Sequence, residues 1–201
     1  MYALDQPHRD ASPGDEPSDD SLLSAVAAGD RDAFRLLAAR HTARALTLAE
    51  RVLGNASDAD EVVQEALLRV WRHADRWRPG GPARFSTWFH RIVLNLCLDR
   101  RRRPVHAGLE QAPDIPDPAP SAPALISRGQ VAAKIAAALA ELPPRQRAAV
   151  ALCYYEDRPA SEAAGLLSLS VSALESLLAR ARRSLRARLA GLPADCIGDD
   201  P

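Results

Sequence analysis

The stretch ASEAAGLLSLSVSALESLLARARRSL, residues 160–185, determines the fold of the C-terminal half of the chain. Its apolar spacing predicts a short helix at about 160–167, the turn SLS at 168–170, and a long helix from Val171. Ser170 is a natural N-cap, because its hydroxyl can accept a hydrogen bond from a free backbone amide of the first turn. The long helix has an apolar face that we expect to be buried (Val171, Leu174, Leu178, Ala181, Leu185). This pattern indicates a helix-turn-helix or a generic helical hairpin.

Two basic patches indicate a polyanion as the ligand. The face of the long helix opposite its apolar stripe carries Ser172, Ser176, Arg180 and Arg183. Upstream, residues 69–103 contain ten arginines against two aspartates, a net of about eight positive charges. Basic patches on helices are typical of proteins that bind nucleic acid, and a solvated helix face is the alternative interpretation.

Composition predicts an all-α fold. The chain has 201 residues, a formal net charge of zero and 4% aromatic residues, and strong helix formers dominate it. Its three cysteines (Cys97, Cys153, Cys196) are odd in number and far apart, which excludes a disulfide framework and offers no metal-binding spacing. The few histidines and acids form no converging nucleophile, base or metal set, so we expect neither an enzyme nor a bound metal or cofactor.

A proline-rich segment divides the chain into two small helical domains. Residues 103–126, RPVHAGLEQAPDIPDPAPSAPALI, contain six prolines and almost no periodicity, as extended linkers do. We therefore expect a four-helix N-terminal domain at 20–103, a flexible linker at 104–127 and a C-terminal domain at 128–192. The acidic segment 1–19 and the tail 193–201 are expected to be disordered. The N-terminus has no apolar signal core, so we expect a cytoplasmic protein.

The segment FSTWFHRIVLNLCLDRRRR, residues 85–103, predicts an aromatic helix that ends in arginines. Charged and polar residues interrupt its apolar positions, so it does not approach the roughly 18–20 apolar residues of a membrane span, and we expect no membrane insertion. One side has core spacing, whereas the other carries polar residues (Arg84, Thr87, Arg91, Asn95), with Trp88 at the border. Proteins bind single-stranded nucleic acid with cations that contact its phosphates and with flat rings on which an unstacked base can lie. This helix offers both. Core packing is the alternative for Trp88.

The segment DADEVVQEALLRVWR, residues 58–72, predicts a helix capped by Ser57 or Asp58. Its inward stripe consists of Val63, Leu67 and Val70 and continues to Ala74. A second face is acidic at one end and includes an exposed leucine (Glu61, Gln64, Glu65, Leu68, Arg72). Such a face fits a protein partner as well as it fits solvent.

These three segments, in this order, resemble the extracytoplasmic-function sigma factors, the minimal two-domain class of bacterial sigma subunits. The resemblance covers about residues 20–192. It implies a protein without enzyme activity that binds core RNA polymerase and directs it to promoters. The N-terminal domain would recognise the −10 promoter element, and the C-terminal domain the −35 element. Family members are commonly held inactive by an anti-sigma factor.

The resemblance also implies roles for individual residues. Asp60, Glu61, Gln64 and Glu65, beside Leu68, would dock on the polymerase. The opened −10 strand would contact Arg84, Arg91 and Asn95, with Trp88 nearby. The arginine tail, including Arg100 and Arg101, would contact the strand backbone. The 76–82 loop would receive a flipped base. Promoter DNA at −35 would meet Ser172, Ser176, Arg180 and Arg183.

Two segments depart from the family pattern. SALESL, residues 172–177, replaces the usual Gly-Thr-Val-Lys-Ser-Arg, and the 76–84 loop is longer than the compact form. Two other classes of protein compete with this interpretation. A helix-turn-helix repressor would need an effector or dimer domain, which residues 20–103 do not resemble. A decoy that titrates an anti-sigma factor would be expected to lose the strand-binding arginines, which are present.

Overall fold

The computed structural model of the chain describes residues 16–81, 84–102 and 128–190, without the side chains of Arg101, Arg102 and Arg128. The rest of the predicted acidic terminus, the linker at 104–127 and the tail at 193–201 lie outside these residues. The N-terminal half contains α1 (Asp19–Ala27), α2 (Arg31–Leu53), α3 (Ala56–His73), a 3-10 turn (Ala74–Arg76) and α4 (Phe85–Arg102). The C-terminal half contains α5 (Arg128–Ala140), α6 (Pro144–Val150), a π-helical turn (Ala151–Tyr155), α7 (Ala160–Leu166) and α8 (Val171–Leu189). The regular elements of the described ranges are helical, which confirms the all-α prediction.

Capping residues fix both ends of α2. Asp30 Oδ1 accepts hydrogen bonds from the backbone amides of Asp32 at 2.8 Å and Ala33 at 3.1 Å. Two of the free amides of the first turn are thereby satisfied. Gly54 ends the helix with φ at 74°, a left-handed conformation that glycine adopts without a Cβ clash.

The cap of α3 differs from the prediction. Asn55 precedes the helix, and its Oδ1 accepts from the backbone amide of Asp58 at 3.2 Å. Ser57 and Asp58 lie inside the first turn, so their prediction as caps was wrong. The reason is that the chain turns back at Gly54, and the next residue is the first with an extended backbone and a side chain that can cap.

The N-terminal core forms where α2 packs against α1, α3 and α4. Its largest buried side chains include Leu23, Leu37, Leu48, Val63 and Phe89. Val63 and Val70 of the predicted α3 stripe are buried, and Leu67 packs against the core from a half-buried position. The polar faces of α3 and α4 are thereby turned outward.

The C-terminal half contains the predicted helix-turn-helix. The α7 and α8 helices meet at a bend of 94°, within the range of DNA-binding helix pairs. Ser170 caps α8, and its Oγ accepts from the backbone amide of Ala173 at 3.2 Å. Leu174 and Ala181 are fully buried, but Val171 is 41% exposed, so its place in the buried stripe was wrong. As the first residue of α8, Val171 lies in the turn of the motif, and α7 does not cover it.

The two halves contact each other. Helix α2 contacts α6 and the π-helical turn, and α4 contacts α6 and α7. Buried residues of both halves belong to one continuous hydrophobic cluster. In this arrangement the turn between α7 and α8 lies next to the polar side of α4.

No single helix among the described residues has both the length and the hydropathy of a membrane span. The α7–α8 pair passes that test only when its two helices are counted together across their 94° bend.

Candidate functional site

The predicted partner-binding residues of α3 share one exposed face. Asp60, Glu61, Gln64 and Leu68 are exposed, and Glu65 is half-buried. Leu68 is a large apolar residue with 48% of its surface open to solvent. An exposed leucine among acids is suited to a partner that offers both an apolar contact and positive charge.

Two carboxylates of this face, those of Glu61 and Glu65, are already paired within the chain. Glu65 Oε1 accepts from Arg69 Nε at 2.9 Å, one helical turn away. Arg100 of α4 reaches across to α3, where its Nη1 lies 2.7 Å from Glu61 Oε2 and its Nη2 lies 2.6 Å from Asp58 Oδ1. The hydrogen bond to Glu61, followed by those to Asp58, raises the pKa of the Arg100 guanidinium. A residue predicted to contact nucleic acid therefore belongs to the ion-pair network of the acidic face.

The polar stripe of α4 faces solvent as predicted. Arg84, Arg91 and Asn95 are exposed, and Thr87 is half-buried. The backbone of α4 continues through Arg101, whose side chain is not described. The stripe thus presents cations and an amide along one side of a helix.

An aromatic cluster borders the stripe. Trp88 is half-buried, and its ring centroid lies 5.5 Å from that of Trp77 and 6.0 Å from that of Phe85. Trp88 is therefore partly packed against the core and partly open to solvent. The two tryptophan rings, tilted by 45° to each other, form an apolar surface beside the cations.

The outer face of α8 is exposed along its length, with Ser172, Ser176, Arg180 and Arg183 all open to solvent. The Ser172 hydroxyl lies 3.1 Å from that of Ser170, and Ser176 Oγ donates to the Ser172 carbonyl at 2.9 Å. Arg180 and Arg183 form no ion pair with any acid in the described part of the chain. Their positive charge is therefore available to an external anion.

Comparison with known proteins decides the family. The family model of Sigma-70 region 2 matches residues 37–105, and that of Sigma-70, region 4 matches residues 132–185. The ECF RNA polymerase sigma factor SigM of Mycobacterium tuberculosis is 38% identical over 179 residues, covering 88% of this chain and 86% of SigM. The chain belongs to the ECF RNA polymerase sigma factor family. Family members bind core RNA polymerase and promoter DNA.

Other relatives of this sigma factor agree with the assignment. RNA polymerase sigma factor CnrH of Cupriavidus metallidurans is 33% identical over 185 residues, covering 87% of this chain and 95% of CnrH. The solved structure of CnrH in complex with the cytosolic domain of CnrY matches with a TM-score of 0.61 at 30% identity, over 88% of this chain and all of CnrH. The sigma factor RpoE of Bartonella quintana, solved with the anti-sigma factor NepR, has a TM-score of 0.53 at 19% identity over 86% of this chain and 94% of RpoE, and shares the fold.

Side chains that sequence reasoning did not single out join the two domains of this sigma factor. Glu156, whose side chain is 6% exposed, accepts from Arg44 Nε at 2.9 Å and Arg51 Nη1 at 3.3 Å. The Arg51 guanidinium also lies 4.6 Å from the centre of the Tyr155 ring, a cation–π contact. Buried Arg147 of α6 donates to the Val52 carbonyl of α2 at 3.3 Å.

Two further contacts involve α4. Arg158 Nη2 donates to His90 Nδ1 at 2.9 Å. His90 is 1% exposed, and its burial, with the charge of Arg158, lowers its pKa from 6.5 to about 4, so its ring is neutral at pH 7. Arg91 Nη2 donates to Ser168 Oγ at 3.0 Å, which joins the polar stripe to the turn of the helix-turn-helix.

Proposed function

We propose that this sigma factor binds core RNA polymerase through the acidic face of α3, holds the opened −10 strand on α4, and reads −35 DNA with α8. The observation that carries this proposal is the polar stripe of α4. It has exposed Arg84, Arg91 and Asn95 directly beside the Trp77–Trp88 pair. Guanidinium groups neutralise phosphates, and aromatic rings receive unstacked bases, so this surface fits single-stranded DNA. Arg101 would extend it along the strand backbone.

The acidic face of α3 is the proposed polymerase contact. Exposed Leu68 supplies an apolar centre, and Asp60, Glu61, Gln64 and Glu65 supply polar partners around it. Interfaces with an apolar centre and a polar rim are common among protein complexes. Because Glu61 and Glu65 are paired with arginines of this chain, cations of the polymerase would replace those arginines on docking.

The first turns of α8 are the proposed −35 reader. In helix-turn-helix proteins the N-terminal residues of the second helix meet base edges in the major groove. Ser172 and Ser176 occupy that position, and Arg180 and Arg183 follow one and two turns later, where phosphates would lie. This sigma factor would therefore read −35 with hydroxyl groups and hold the backbone with arginines.

The class of the proposed inhibitor is inferred from two solved structures of relatives. CnrH was solved bound to the cytosolic domain of CnrY, and RpoE was solved with the anti-sigma factor NepR. We propose an anti-sigma factor for this sigma factor as well, acting in the cytoplasm on a protein that carries no enzyme activity of its own. Co-expression with the product of a neighbouring reading frame tests this: we expect the neighbour to bind and silence the sigma factor, and a neighbour that does neither contradicts it.

In-vitro transcription with purified core polymerase on a promoter library tests the proposed function. We expect a discrete set of promoters to be transcribed only when the full chain is added. Arg91→Ala with Asn95→Ala should abolish that transcription, whereas the matched change of Asp99→Asn, on the same helix, should not. A chain that binds an anti-sigma factor but supports transcription from no promoter would be a decoy, and the proposal would be rejected.

A further inference from the structure

A carboxylate of α1 binds the loop beside the aromatic pair. Asp20 Oδ1 accepts from the indole Nε1 of Trp77 at 2.8 Å, and Asp20 Oδ2 accepts from the backbone amide of Gly80 at 3.0 Å. Asp20 lies 57 and 60 positions before these donors in the sequence. One side chain thus fixes both the ring and the backbone of the segment that leads to α4.

These two bonds determine where Trp77 lies. The 3-10 turn that precedes it packs against α1, and the Trp77 ring lies 5.5 Å from Trp88 and 6.3 Å from Phe85 by centroids. Gly80 has φ at 71°, so the backbone reverses direction at the point where its amide meets Asp20. Without the carboxylate, neither the indole N–H nor this amide has a protein acceptor among the described residues.

Each of the two donors has its own oxygen of the Asp20 side chain. Asp20 lies in the first turn of α1, where the helix dipole favours negative charge. Two acceptor oxygens serve two donors, and bonds of this kind to a charged group are stronger than neutral ones. An asparagine has one acceptor oxygen, so Asp20→Asn can keep one of the two bonds, and Asp20→Ala keeps neither.

We propose that Asp20 is a positioning residue for the strand-binding surface. It holds the Trp77 ring against Trp88, so that an unpaired base of single-stranded DNA meets an ordered pair of rings and not a loose loop. This inference rests on the proposed function of α4. Ordering a loop costs conformational entropy, and a preorganised loop spares the ligand that cost.

The first test uses the free protein. We label the indole nitrogens and measure hydrogen exchange of the Trp77 N–H in the full chain. Exchange should be slow in the wild type, faster in Asp20→Asn and fastest in Asp20→Ala. Equal protection in all three proteins would overturn the positioning role, whatever the protein does with DNA.

The second test uses the holoenzyme and a fork-junction DNA with an unpaired −10 strand, built on a promoter selected by the transcription library. Asp20→Ala should weaken fork binding at least tenfold and leave the affinity for core polymerase unchanged, with Asp20→Asn intermediate. Asp30→Ala is the matched control, because the Asp30 side chain also accepts from two donors, but both are backbone amides of the helix that it caps. It should lower stability and leave fork affinity unchanged.

Equal losses in Asp20→Ala and Asp30→Ala would show a stability effect only and overturn the inference. Unchanged fork affinity in Asp20→Ala overturns it too. The proposed function has its own contrary outcomes on the same DNA: the wild-type holoenzyme does not bind the fork, or the variant with Arg91→Ala and Asn95→Ala binds it normally. In either case, hydrogen exchange of the Trp77 indole alone decides the role of Asp20.

Discussion

Arg100 of α4 and Glu61 of α3 form an ion pair at 2.7 Å, so α3 and α4 are joined at the rim of the acidic face. Both side chains are partly exposed, and ion pairs of this kind typically contribute about 0–1 kcal/mol to stability. Under the proposed docking of this face, a charged polymerase side chain would therefore replace Arg100 at little cost.

The acidic face should determine the affinity for polymerase. Truncating a hydrogen-bonded interface charge typically costs about 2–5 kcal/mol, so Glu61→Ala with Glu65→Ala should weaken core binding at least tenfold. Titration of labelled sigma factor with core polymerase measures this. Glu175→Ala, an exposed acid on α8, is the control and should bind normally. Unchanged affinity in the double variant would reject the assignment.

The polar stripe of α4 should be needed for promoter opening. Replacing Arg91 and Asn95 by alanine removes a guanidinium and an amide from the exposed side and leaves the core untouched. We expect the holoenzyme to bind polymerase normally and to lose permanganate reactivity of the −10 thymines. Asp99→Asn is the control and should open the promoter. Normal opening by the double variant would eliminate the strand-binding role of these two residues.

The two kinds of residue on α8 should give different phenotypes. Arg180→Ala and Arg183→Ala should each weaken binding of all upstream sequences alike and lower the magnitude of the log K against log salt slope by about 0.9, because each removes a phosphate contact. Ser172→Ala and Ser176→Ala should instead change promoter preference. Binding of the holoenzyme to duplex promoters at several salt concentrations measures both. An unchanged slope in either arginine variant contradicts the phosphate assignment.

Acid should destabilise the protein through His90. Burial, and then the charge of Arg158, lower its pKa to about 4; Arg44 and His41 act in the same direction, and Glu156 opposes them. The unfolded chain has the higher pKa, near 6.5, so it binds the proton first and stability falls as the pH drops from about 6.5 towards about 4.

Between pH 7 and pH 5 this single group should lower the free energy of unfolding by about 2 kcal/mol. Urea unfolding of the wild type and of His90→Asn measures the difference. The variant should lose less stability than the wild type over the same interval. If both lose the same amount, another group is responsible.

Local patterns predicted much of the fold. The Ser170 cap and the outward faces of α3, α4 and α8 all follow from helical periodicity and from side chains within a few residues of each helix end. Asn55 was missed because Ser57 and Asp58 are also good caps, and the backbone turn at Gly54 decides among them. Val171 was misplaced because periodicity says nothing of where the covering helix ends.

The contacts between the domains could not be predicted. The His90–Arg158 contact spans 68 positions and the Arg44–Glu156 contact spans 112. In the sequence His90 only interrupts an apolar run, and Glu156 is one of two adjacent acids, followed by Asp157. Their burial depends on how two separately patterned units pack, and a single sequence carries no periodic signal for that. The contacts of Asp20 with Trp77 and Gly80, 57 and 60 positions away, were missed because they too are distant in the sequence.

The contact between Arg91 and Ser168 has a thermodynamic consequence. When Arg91 donates to the Ser168 hydroxyl, that donor is not free to bind a phosphate. Under the proposed role of Arg91, strand binding and closure of the two domains would therefore compete, and any free energy that favours closure would be subtracted from the apparent affinity for the strand. A polymerase that holds the two domains apart would restore that affinity without touching the DNA-binding residue.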